Sequence, residues 1–201
     1  MLEYELPTSV ILNDTAYAIR KDGDFRMVLD CFRLLQDEEL EDNERIFACL
    51  ITFYADLSSF EDIPKLGDIE EAIKQMFSFF NCNREDVGIK AEGKVIDWDK
   101  DALMVVSAIN KVAGKEIRAE KYLHWWTFMS YYMGMGECAL ATVINIRRKI
   151  YRNEKLEKYE QKYVKENPEL FRRRENYTKD EKEFLDSIRA NWNTGGTENG
   201  S

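Results

Sequence analysis

Apolar positions along this chain recur mostly at helical spacing. Phe25, Val28, Leu29, Phe32 and Leu35 fall at steps of three and four, and Ile46, Phe47, Leu50, Phe53, Tyr54 and Leu57 repeat the pattern. The clearest stretch runs from Asp68 to Phe80. Asp68 in the N-cap position, with Glu71 three residues on, has the spacing of a capping box, and Ile69, Ala72, Ile73, Met76, Phe77 and Phe80 then make one continuous apolar face. Residues 82–97 are polar, contain Gly88 and Gly93, and read as a loop. A helix is expected from about Trp98 to Ala113, with Gly114 as its stop. An aromatic helix at about 120–133 ends on Gly134-Met135-Gly136. The next starts near Glu137, carries Leu140, Val143, Ile144 and Ile150, and has no breaker before Asn167-Pro168, so it is free to continue to Glu166. A last helix, Thr178 to Trp192, again opens with capping-box spacing between Thr178 and Glu181.

Only the start of the chain departs from this periodicity. Val10, Ile11 and Leu12 lead to Asn13-Asp14 and then to Thr15–Ile19, where Tyr17 and Ile19 alternate. Asn-Asp tolerates the positive φ values of a tight two-residue turn, so a β-hairpin is expected, and a lone hairpin needs helices to pack against. The pattern therefore predicts a mainly α fold: a multi-helix bundle of about six to eight helices with a short N-terminal β-hairpin and a charged helical C-terminal extension. Residues 1–150 form the expected hairpin plus helical body, 151–192 the extension, and 193–201 a disordered tail rich in Gly, Asn and Thr.

Charge sharpens the division. The chain of 201 residues is 33% charged with a net charge of −9, yet residues 1–146 hold 15 basic and 27 acidic side chains while residues 147–192 hold 14 basic and 10 acidic. An acidic average surface repels a phosphate backbone, which argues against non-specific nucleic-acid binding. No stretch approaches the ~20 apolar residues of a membrane span, and the N-terminus lacks the basic start and apolar run of a signal peptide. Cys31, Cys49, Cys82 and Cys138 are scattered, without a Cys-x-x-Cys pair, and read as reduced thiols of an intracellular protein.

Candidate chemistry is thin. Asp97, Asp99 and Asp101 alternate as in a calcium loop, but Ala102 and Ala108 stand where that loop needs Gly and Glu, so the cluster reads as helix-start capping. His124 is the single histidine. It reads as a tucked-in helical residue, and neither Ser107 nor Cys138 sits in a nucleophile motif. No phosphate loop, metal site, cofactor site or catalytic residue is expected. Arg147-Arg148-Lys149 spread over much of a helix circumference and read as a solvated face. Arg172-Arg173-Arg174 read the same way, with an acidic partner as the alternative.

Two apolar sets stand out as candidates for recognition. Six aromatics lie between Tyr122 and Tyr132, and Tyr122, Trp125, Trp126, Phe128 and Tyr132 form a cluster that is either core or interface; a helix apolar on so many sides favours core. In the extension, Phe184, Ile188 and Trp192 fall at i, i+4 and i+8 with Leu185 beside them, a candidate partner-binding stripe.

Three blocks carry a resemblance. The first is Leu-Pro-Thr-Ser-Val at 6–10, leading to Asp24-Phe25-Arg26. The second is Ile96-Asp97-Trp98-Asp99, with Asp101 opening a helix. The third is Leu123-His124-Trp125-Trp126-Thr127-Phe128, followed by a glycine turn and Ile144-Asn145-Ile146-Arg147. In order and spacing they resemble the phage "gene product fifteen" family of Gram-positive siphophages and prophages, over roughly residues 6–150. The resemblance implies a non-enzymatic role in tail morphogenesis, in the host bacterial cytoplasm. It points to a tail assembly chaperone that binds the tape measure protein, with the major tail protein as a second candidate partner, while the tail tube polymerises. A structural tail or connector component retained in the virion is the alternative, and a metal-dependent enzyme using Asp97, Asp99 and Asp101 a remoter one. A homo-oligomer is compatible with either phage role.

Overall fold

The structure, a computed structural model, describes residues 5–37, 39–84, 95–98 and 100–171. The expected helix at Thr178–Trp192, the tail 193–201, Arg172-Arg173-Arg174, Gly88, Gly93 and Asp99 lie outside the described residues. The chain divides into two compact units, Met1–Glu157 and Lys158–Ser201.

The first unit opens with the hairpin, β1 (Ser9–Leu12) and β2 (Thr15–Ala18), paired antiparallel with Leu12 opposite Thr15 and Val10 opposite Tyr17. Asn13 and Asp14 both take positive φ, 47° and 64°, which matches the turn to the right-handed twist of the strands. Val10 and Leu12 are buried, while Ser9 and Ile11 face outward.

Among the described residues six α-helices follow in this unit: α1 (Phe25–Leu35), α2 (Asp42–Phe53), α3 (Ile69–Phe80), α4 (Ala102–Ala113), α5 (Trp125–Met133) and α6 (Ala139–Tyr151). The expected mainly helical fold with an N-terminal hairpin is the observed one. Local chemistry starts most of these helices. Asp24 accepts from the Arg26 amide at 3.0 Å, Glu41 and Glu44 cap α2 reciprocally, and Asp68 accepts from the Glu71 amide at 3.0 Å. At Asp68 the box is half formed, because the Glu71 carboxylate turns forward to Gln75 and Lys74.

One continuous core joins the hairpin to α1–α6. Val28, Cys31, Cys49, Leu50, Phe53, Ala72, Met76 and Ile109 are all fully enclosed in it. Phe53 and Phe80 meet edge-to-face at 5.6 Å, and Phe32 packs on both Phe80 and Trp125. Arg20 threads into this framework and donates to the carbonyls of Ile51, Tyr54 and Leu57, closing the end of α2 where backbone acceptors lack helical partners.

Three helix boundaries differ from the periodic pattern. The aromatic helix begins at Trp125, because residues 120–124 run extended after a short 3-10 turn at Ile117–Ala119, so Tyr122 is not helical. The helix expected to begin near Trp98 begins at Ala102. The helix free to run to Glu166 ends at Tyr151. Asn153 takes φ 54°, its amide donates to the Ile150 carbonyl, and the Glu154 amide donates to the Lys149 carbonyl at 2.8 Å. This is a Schellman ending with Asn in the left-handed position that Gly usually fills.

In the second unit, α7 (Lys158–Glu166) and α8 (Pro168–Phe171) are joined at Asn167, and the Tyr163 and Phe171 rings meet edge-on at 6.1 Å. Among the described residues no helix is long and apolar enough to cross a membrane.

Candidate functional site

His124, Trp125 and Trp126 occupy the start of α5, and each uses its ring nitrogen on a backbone group. His124 is the N-cap: its Nδ1 accepts from the Trp126 amide at 3.0 Å. That assigns the ring proton to Nε2, which donates to the Pro7 carbonyl at 3.0 Å. Trp125 Nε1 donates to the Phe80 carbonyl at 2.9 Å, and Trp126 Nε1 donates to the Phe79 carbonyl at 3.0 Å. Phe79 and Phe80 are the last residues of α3, so the two indoles satisfy carbonyls at a helix end. The ring stack of Trp125 on Phe128, and of Phe128 on Phe25, carries the same contact into α1.

Asp24 closes the arrangement from the other side. Its carboxylate accepts from the Leu123 amide at 3.0 Å and from Arg26, and Arg26 reaches on to the Glu120 carbonyl at 2.7 Å. Gly23, at φ +76°, lies directly beneath: a Cβ there would stand 2.8 Å from Phe79 Cζ and 3.0 Å from His124 Nε2. Only a residue without a side chain fits this backbone against that ring.

This clasp leaves His124 no catalytic freedom. Its side chain is buried, both nitrogens are engaged, and burial holds its pKa below the usual histidine value despite the Pro7 carbonyl and Asp24. Cys138 serves as the N-cap of α6 through the Ala141 amide. Burial pushes Tyr132 up to about 12 and the Cys82 thiol up to about 11, so both remain protonated at neutral pH.

The aromatic cluster is not one surface. Trp125 and Phe128 are buried, Trp126 and Tyr132 are half-buried, and Tyr122 is exposed, with its hydroxyl donating to the Asp22 carbonyl at 2.8 Å. The stripe Phe184, Leu185, Ile188 and Trp192 lies outside the described residues.

A second junction corrects the reading of the charged motifs. Asp97 accepts from the Lys100 amide at 3.0 Å in the turn before α4, so it does not cap the helix that starts at Ala102. Asp101 makes no side-chain cap; its wholly buried carboxylate accepts from the Asp97 amide and from both terminal nitrogens of Arg147. Arg147 also donates to the Val95 carbonyl at 3.0 Å. It is therefore not part of a solvated face but an inward guanidinium that ties α6 to the start of α4. Sequence spacing places Arg147 on a mostly polar stretch, and nothing local marks Asp101 as its partner 46 residues away. Trp98 belongs to the same junction and stacks on Phe32 at 5.6 Å. Among the described residues no group of three or more His, Cys, Asp and Glu side chains is placed to hold a metal ion.

All three motif blocks of the sequence thus meet inside the fold: residues 7 and 24–26 on 123–126, and 95–101 on 147. Fold and junctions together define a mainly helical protein whose motif residues hold its own helices together. The chain belongs to the bacteriophage Gp15 protein family, whose model matches residues 2–172. No curated protein and no solved structure matches the chain.

Proposed function

We propose that this phage protein is a tail assembly chaperone that holds the apolar, helical tape measure protein soluble in the host cytoplasm during tube assembly, without an enzymatic step. The observation that carries the reading is family membership across residues 2–172, and a role in tail morphogenesis is what the resemblance of the residue blocks to that family implies. The burial of those blocks directs attention elsewhere for the partner surface. Conserving the fold is their task, so partner recognition falls to residues they do not occupy, with the stripe Phe184, Leu185, Ile188 and Trp192 beyond the family match as the first candidate. A net charge of −9 keeps such a holding protein soluble while it presents apolar side chains.

The test is co-expression with the tape measure protein encoded in the same tail gene cluster. The full chain is expected to keep that protein in the soluble fraction and to co-purify with it. Truncation after Glu175 should leave the helical signal intact and reduce the yield of complex. Mass spectrometry of purified virions separates the rival: a chaperone is absent from the particle, and a stoichiometric presence there establishes a retained tail or connector component instead.

A further inference from the structure

Where α1 meets α2, two cysteines face each other. Cys31 lies in α1 and Cys49 in α2, 18 residues apart, and both are 0% exposed. The Cys31 thiol donates to the Cys49 carbonyl at 3.8 Å, and the Cys49 thiol donates to the Cys31 carbonyl at 3.3 Å. Such reciprocal reach requires each residue to sit opposite the other at the helix contact. The hydrogen bond with Cys49, and then burial, push the Cys31 thiol well above its ordinary value, so it rests as a neutral thiol. The other two cysteines are placed differently: Cys82 is half-buried just after α3, and the half-buried Cys138 caps α6.

The separation suits a covalent bond. Cα atoms lie on a cylinder of radius about 2.3 Å around a helix axis, and packed helices run about 8–10 Å apart. Residues facing each other across such a contact have Cα atoms about 3.4–5.4 Å apart, and a disulfide spans about 4.4–6.8 Å between Cα atoms.

We propose that Cys31 and Cys49 form a redox latch, a dithiol in a reducing compartment that closes to an α1–α2 disulfide when a low-molecular-weight disulfide is in excess. The exchange starts when α1 and α2 part. One cysteine, as thiolate, attacks a sulfur of the small disulfide, and half of that reagent leaves as a thiolate. The second cysteine then attacks the protein sulfur of the mixed disulfide and expels the other half. One S–S bond breaks and one forms. The two cysteine protons end on the two released thiols, so the protein pair is oxidised and the reagent reduced by two electrons. Burial selects the product. With both residues fully enclosed, the closed core has no space for a mixed disulfide, so the singly exchanged protein completes the bond or reverts. The latch shares no residue with the terminal stripe and does not depend on the chaperone reading.

The probe is oxidised glutathione. The full-length protein is equilibrated in glutathione buffers of rising oxidised-to-reduced ratio, approached from both the reduced and the oxidised protein. Free thiols are then blocked with N-ethylmaleimide, and the chain is mapped with trypsin and mass spectrometry. The expected product joins peptide Met27–Arg33 to peptide Ile46–Lys65 with the loss of two hydrogens. The equilibrium constant for closing this bond should be at least about ten-fold higher in the native protein than in the same chain in urea, where a flexible loop alone brings the thiols together. Cys82→Ser combined with Cys138→Ser retains only the pair, with serine as a good N-cap of α6, and should give the same constant. Should that variant fail to fold, the linked peptide from the unsubstituted chain decides, because it identifies both cysteines. The proposal is overturned if the native protein forms no Cys31–Cys49 link, if its constant exceeds that in urea by less than ten-fold, or if glutathione adducts of Cys31 or Cys49 accumulate in place of the link.

Discussion

Replacing Arg147 with alanine isolates a buried charge. The Asp101 side chain is 0% exposed and that of Arg147 13%, so neither water nor another described cation reaches the carboxylate from the Arg147 side. Removing one partner of such a pair costs about 3–5 kcal/mol, because the remaining charge keeps its desolvation penalty without its compensation. In a chain of this size each kcal/mol lowers Tm by about 2–4 °C, which puts the expected drop at about 6–20 °C. Urea denaturation followed by circular dichroism at neutral pH measures the loss directly, as a shift in midpoint at unchanged slope. The double variant Asp101→Asn with Arg147→Met carries no buried charge and keeps an acceptor for the Asp97 amide. It should be more stable than Arg147→Ala alone. Lys74→Ala, which removes an exposed pair with Glu71, is the control and should cost no more than about 0.5 kcal/mol. If Arg147→Ala matches that control, or if the double variant is no better than the single one, the ion pair does not hold α6 to α4.

Other consequences of the clasp are testable in the same way. Trp125→Phe keeps most of the ring packing but leaves the Phe80 carbonyl without its donor, and calorimetry should show a loss of about 1–3 kcal/mol. Gly23→Ala combines a left-handed φ with a contact at 2.8 Å and should cost about 2–5 kcal/mol, whereas Gly114→Ala, also at positive φ but with open space, should cost about 1–2 kcal/mol. Because the folded pKa of His124 is depressed, the unfolded chain binds the extra proton first. This histidine's contribution is full above pH 6.5, falls as pH drops from 6.5 through the folded pKa, and is constant below it. Chemical denaturation across that window should show the slope, and His124→Asn, which keeps an N-cap acceptor, should flatten it.

Much of the architecture was legible because it is local. The i, i+3, i+4 recurrence in Phe25–Leu35 and Ile69–Phe80 needs only the pitch of a helix, and Asn13-Asp14 needs only tolerance of positive φ. Boundaries were less legible where a residue has two roles. Asn153 reads as an ordinary polar helix position until it is seen in the left-handed conformation with the Schellman bonds around it. Tyr122 shares a stripe with Trp125 on a helical wheel, yet it belongs to an extended segment because His124 caps the helix after it.

By itself the sequence determined the helical class, the hairpin and its turn, the acidic body with a basic end, and the three motif blocks that mark the phage family. Each follows from neighbours within a turn or two of chain, or from composition. Tertiary structure alone decided what those blocks do. That the two indoles cap α3, that His124 reaches Pro7, and that Arg147 turns inward to Asp101 are contacts across 45 and 47, 117 and 46 residues. Their energies depend on burial and on which backbone acceptors are left open by other helices, quantities that exist only once the chain has closed on itself.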